Sequence, residues 1–116
     1  MPKPEQGRIV LVEVSDPQDR NAKTRPAVIV SETDEILKGR GIFCVAITGT
    51  LPDVLPEDCV LIPYHRSGHP RTGLKKRCAA MCSWLFEIEE THIKKYLGVV
   101  PKSKLLEIIE RLDALE

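Results

Sequence analysis

Aromatic residues are scarce in this chain of 116 residues, which carries two Phe, two Tyr and one Trp. That scarcity argues against two kinds of small binding barrel. One docks polyproline in an aromatic-lined groove, and the other stacks several RNA bases on a sheet. Long apolar runs are missing too. Nothing approaches the roughly 20 residues that a membrane helix needs. The opening MPKPEQGR has none of the apolar character of a secretory signal. A cytoplasmic protein with no membrane partner is therefore expected. In that compartment Cys44, Cys59, Cys78 and Cys82 should be reduced thiols that pack as small apolar groups. No Walker-type glycine loop appears and no Ser-His-Asp arrangement can be read, so a nucleotide-binding enzyme is not expected.

A net charge is missing as well, with 17 Lys and Arg against 17 Asp and Glu. The balance hides an uneven distribution. From Cys59 to Phe86 there is no acid, and the same stretch holds Arg66, Arg71, Lys75, Lys76 and Arg77, with His65 and His69 among them. A basic stripe on a neutral chain is one footprint of binding to a phosphate backbone, although a solvated loop looks alike in sequence.

What is present fits one soluble globular domain over residues 1–116, with 42% hydrophobic and 29% charged residues. Strands are predicted at Arg8–Val14, Pro26–Val30, Phe43–Thr48, Cys59–Tyr64 and Cys78–Ile88, from alternation or short apolar runs bounded by turn residues. Thr33 is the expected N-cap of one helical turn that closes at Gly39. A short helix is predicted over Thr91–Leu97, ended by Gly98. From Ser103 onward an amphipathic helix carries Leu105, Leu106, Ile108, Ile109, Leu112 and Leu115 on one side. Its apolar stripe exceeds what one small barrel hides, so a homodimer assisted by this helix is expected. Together these elements make a mainly β (α+β) fold, a small bent sheet or barrel with a terminal helix against it.

Two spacings invite a metal reading: His65 with His69, and Cys78 with Cys82. Four residues of strand span roughly 13 Å at about 3.3 Å per residue. Zinc–sulfur bonds of about 2.3 Å need the sulfurs far closer. No metal is therefore expected. Two other residues stand out. Arg25 precedes Pro26, which holds its neighbour extended and is expected to start a strand, so that Arg25 sits at a stiff junction. Thr48 ends the strand FCVAIT beside Gly49, where a hydroxyl can meet a ligand oxygen; a plain strand-end threonine or surface arginine would read the same way.

Five segments in order then carry a resemblance: GRIVLVEVSDP, KTRPAVIVS, VAIT, HPRTGLKKRCAAMCSW, and IKKYLG ahead of the last helix. From about Gly7 onward they are similar to the MazF/PemK family, the endoribonuclease toxins of toxin–antitoxin pairs. The resemblance implies a small SH3-like β-barrel with a C-terminal helix, usually a homodimer, with an antitoxin partner. It implies cleavage of single-stranded RNA, often mRNA, at short sequences without metal or cofactor, leaving a 2′,3′-cyclic phosphate and a 5′-OH. The family's catalytic arginine and threonine fall on Arg25 and Thr48. Lys23, Thr24, His65, Arg66, His69, Arg71, Lys75 and Lys76 are the candidates for RNA binding. By pKa alone the two histidines suit proton transfer better than a guanidinium does. The loop before Arg25, PQDRNAKT, lacks the glycine and glutamate common in the family, and Cys78 stands where a serine is usual. An alternative therefore stays open: a degenerate member that binds nucleic acid or a partner without cutting.

Overall fold

Alternating apolar residues near the N-terminus build the first antiparallel pair, β1 (Arg8–Ser15) and β2 (Ala22–Ile29), with Ile9 opposite Val28 and Val12 opposite Arg25. A computed structural model describes residues 3–15, 22–49 and 51–115; the side chains of Val14, Ser15, Ala22, Lys23 and Leu115 lie outside that description. After β2 come α1 (Thr33–Leu37), β3 (Ile42–Thr48), β4 (Cys59–Ile62), β5 (Cys78–Ile88) and a 3₁₀ turn (Glu90–His92). The chain then forms β6 (Ile93–Val99) and α2 (Lys102–Leu115).

The six strands form one antiparallel sheet in the order β4-β5-β3-β2-β1-β6. This is the mainly β architecture with a C-terminal helix expected of the family. Its ladder stays open between β4 and β6, so the SH3-like barrel is closed by a loop instead of by strand pairing. That loop is the connection before β5. The Thr72 hydroxyl, fully buried, donates to the Pro63 carbonyl next to β4 (2.8 Å), and the Val99 amide of β6 donates to the Arg71 carbonyl (2.7 Å).

Apolar side chains on both faces of the sheet are buried. On one face Ile9, Val28, Val45, Ile47, Val60 and Ile62 pack with Leu74 and with Ile108 of α2. On the other, Val10, Val12, Ala27, Ile29, Cys44 and Ile88 pack with Ile36, Phe86, Ile93 and Tyr96. Each fully buried aliphatic side chain contributes about 1.5–3 kcal/mol. All four cysteines are buried free thiols.

Four expectations change. The segment predicted as a helix over Thr91–Leu97 is the 3₁₀ turn followed by β6, because Tyr96 pairs with Val10 and Lys95 with Leu11, and the ladder overrides local helix preference. Strand β2 begins four residues before Pro26, so Arg25 lies within a strand and not at its junction. Pro26 is tolerated there because β3 pairs with β2 only from Ala27 onward, so no bond to β3 needs its missing N–H. Glu32, not Thr33, is the N-cap of α1, and the Thr33 hydroxyl accepts the Gln6 amide instead (3.1 Å). Lastly, Leu105, Ile108 and Leu112 of α2 pack on the chain's own core, which leaves only Leu106 well exposed on that helix among its described large apolar residues. The stripe is thus no longer an argument for a second copy.

Candidate active site where the sheet opens

Ala46 marks a break in two ladders. Pairing of β3 with β2 ends at Ala46 opposite Ala27, and its pairing with β5 jumps from Val45–Leu85 to Ala46–Met81. Residues 82–84 of β5 therefore bulge out of the ladder. Continued by two residues, the β2–β3 register would set Arg25 opposite Thr48; instead that ladder ends, while Thr48 pairs with Ala79 of β5. Strand alternation puts Arg25 and Thr48 on the face of Ala27 and Ala46.

The parting leaves a cleft of about 640 Å³. Its walls come from Thr24, Arg25 and Pro26 on β2, Ile47 and Gly49 at the end of β3, the turn Gly73–Lys76, Cys78, and Lys95 and Leu97 on β6. Among the described residues four cations line it and no acid does. Among the described residues none of Arg25, Lys75, Lys76 and Lys95 is in an ion pair. Unneutralised cations over an apolar floor form a site for a polyanion. Burial pushes the Cys78 thiol up to about 11, so this wall residue is a neutral packing group and no nucleophile.

The turn that supplies Lys75 and Lys76 is held rigidly. Thr72 accepts the Leu74 amide as well as donating to Pro63, and the Leu74 carbonyl receives both the His65 and His69 amides (3.0 and 3.1 Å). Gly73 has φ +72 and lies against the Leu97 carbonyl, where any Cβ would clash with backbone.

The structure thus gathers Thr24, Arg25, Lys75 and Lys76 at one cleft, with Thr48 between two of its wall residues though not itself lining it. Arg66 and Arg71 are exposed on the connecting loop outside the cleft, and His65 and His69 stay outside it too. His65 Nδ1 accepts the Ser67 amide, and His69 Nδ1 accepts the Arg71 and Thr72 amides, so both rings organise the loop. Lys23 pairs with Val14 through its backbone, and its side chain is outside the described residues, as is the loop 16–21. Among the described residues no three His, Cys, Asp or Glu side chains converge as a metal-binding group, and no helix is long and apolar enough to cross a membrane. Sequence reasoning missed Lys95, whose place follows from a row across three strands in which Leu11 pairs with Pro26 on one side and Lys95 on the other.

Residues 5–115 match the family described as PemK-like, MazF-like toxin of type II toxin-antitoxin system. The chain belongs to that family. MazF-like toxins are endoribonucleases, and the cationic cleft sits in a fold of their kind. No curated protein matches the sequence significantly. Among solved structures, the fold is similar to an endoribonuclease in complex with its cognate antitoxin from a mycobacterial species. That likeness has 17% identity, 97% of this chain and 93% of the other covered, and a TM-score of 0.73. MazF from Deinococcus radiodurans is similar at 18% identity, with 99% and 97% covered and a TM-score of 0.72. The Mycobacterium tuberculosis toxin MazF-mt6 is similar at 16% identity, with 92% and 93% covered and a TM-score of 0.69.

Proposed function

We propose that the chain acts as one domain, a metal-independent and sequence-selective endoribonuclease that cuts single-stranded RNA through the substrate's own 2′-OH. The observation that carries this reading is the cleft at the parting of β2 and β3, which Arg25 lines with three lysines and, among the described residues, no acid, and whose wall residues Ile47 and Gly49 flank Thr48. The RNA backbone runs along Lys75, Lys76 and Lys95, which brings one phosphate to Arg25 and Thr48. The 2′-OH gives its proton to solvent as its oxygen attacks phosphorus, the bond to the 5′-oxygen breaks as that oxygen takes a proton from solvent, and a 2′,3′-cyclic phosphate and a 5′-OH result.

Arg25 meets the extra negative charge of the five-coordinate phosphorus, because its planar fork bonds two phosphoryl oxygens at once. A guanidinium holds its proton too tightly to serve as a base, so its role is charge stabilisation. Thr48 adds one hydroxyl donor. His65 and His69 have Nδ1 committed to the loop and stand outside the cleft, which supports a role in shaping the loop over one in proton transfer.

By family, the partner is a cognate antitoxin, as in the mycobacterial complex, and the working form is a cytoplasmic homodimer. The test is to incubate the purified protein with a long RNA, map the new ends and assay them for cyclic phosphate. Fragments with cyclic phosphate ends, lost in Arg25→Ala, support the reading. RNA that is bound and left intact overturns it in favour of a member that binds without cutting.

A further inference from the structure

Arg25 rests on a platform instead of a counter-ion. Its guanidinium carbon lies 5.4 Å from the centre of the Trp84 ring. Among the described residues the Arg25 side chain makes no ion pair. Trp84 is half-buried and braced by Phe86, the two ring centres 6.5 Å apart and tilted by 55°. The indole reaches this place because of the bulge in β5. Continued from Val45–Leu85, the register would set Trp84 opposite Ala46, but Met81 takes that partner and Trp84 is released from the ladder. Bulges of this kind re-aim side chains beside active sites.

We propose that Trp84 is a positioning residue for RNA cleavage, its indole face steadying the Arg25 guanidinium so that its in-plane fork of N–H donors stays free to meet two oxygens of the reacting phosphate. The chemistry favours an aromatic face in this role. A carboxylate would hold the guanidinium as firmly, but it would occupy two donors and cancel the charge the phosphorane needs. A π face attracts the cation through its quadrupole and takes no in-plane N–H. Loss of the platform leaves Arg25 charged and able to attract RNA, yet free to rotate. The effect should therefore fall on the chemical step more than on binding. The inference rests on the reading of Arg25 given above.

The experiment uses the full chain and an RNA oligonucleotide containing a mapped cleavage site. Trp84→Leu should lower kcat on the order of tenfold with KM nearly unchanged, and Trp84→Phe should restore most of the rate. Trp84 is the sole tryptophan, so its fluorescence reports on the stack without any catalysis. Arg25→Ala should change that emission while leaving circular dichroism and melting as in the parent. An uncleavable oligonucleotide with a 2′-deoxy sugar at the cleavage site should perturb the emission in the parent and not in Arg25→Ala. The proposal is overturned if Trp84→Leu keeps full kcat while Arg25→Ala is inactive, or if Trp84 emission ignores Arg25→Ala. Full cleavage by Arg25→Ala would instead sink the catalytic assignment itself, and this inference with it.

Discussion

Gly98 lies flat against the peptide of Thr72: a Cβ built on Gly98 would run into the carbonyl of Arg71 and the backbone of Thr72. The φ of Gly98 is not positive, so close approach, and not backbone freedom, calls for glycine there. Gly73 reciprocates from the turn by lying against Leu97. Strand β6 and the Arg71–Leu74 segment therefore meet backbone to backbone, which closes the barrel where the ladder does not.

Gly98→Ala should accordingly destabilise the chain by about 1–3 kcal/mol, the usual range for forcing extra volume into packed structure. It should also slow RNA cleavage, because the displaced turn carries Lys75 and Lys76. Gly39→Ala is the control. Gly39 has φ +74 but open space around it, so only the left-handed backbone penalty of about 1–2 kcal/mol applies and cleavage should be unaffected. Urea denaturation and single-turnover cleavage of both variants check this.

Arg25→Ala should reduce the cleavage rate on the order of 100- to 1,000-fold, the usual loss for one preorganised donor to a developing oxyanion. Arg25→Lys should recover only part of it. An ammonium keeps the charge but meets phosphate as a point, without the fork. Single-turnover rates at saturating protein separate this from weaker binding.

Lys75, Lys76 and Lys95 should each contribute to the salt dependence of RNA binding. For a single strand, each phosphate neutralised adds about 0.7 to the magnitude of the log–log slope. Replacing any one of the three with Gln should reduce the slope by about that amount. Lys94→Gln should leave it unchanged, since Lys94 is already engaged with Glu13 at 3.7 Å and lies outside the cleft. Fluorescence anisotropy with an uncleavable oligonucleotide across a salt series reads all four.

The buried thiols set an alkaline limit on stability. Burial pushes Cys44 from 9.0 up to about 12, and Cys78 and Cys82 up to about 11. The folded chain holds these protons above pH 9 while the unfolded chain releases them, so unfolding is favoured as pH rises. Stability owed to these groups should be complete below pH 9 and decline between about pH 9 and pH 12. Urea midpoints across that window should fall, and Cys44→Ala should flatten the fall. At neutral pH the native thiols should resist alkylation.

Local pattern made much of this legible. Runs such as RIVLVEV and FCVAIT carry their strands openly, and the Arg25–Pro26 pair announces a special position. The reason for that position was hidden, because it depends on where β3 leaves β2, and no local pattern records the end of a neighbour's ladder. The segment IKKYLG reads as helix plus glycine stop; only pairing with β1 makes it a strand and turns Lys95 toward the cleft. His65 and His69 drew attention by their chemistry, yet each spends a ring nitrogen on loop amides. Thr72, buried in a stretch rich in glycine and basic residues, carries no sequence mark of its burial at all.

Two departures from regular pairing meet at one buried residue, Ala46. Because one ladder ends at Ala46 and the other slips there, the opening of the cleft and the place of the indole share a common pivot. A bulkier side chain at this concealed position could retune both without ever touching the substrate.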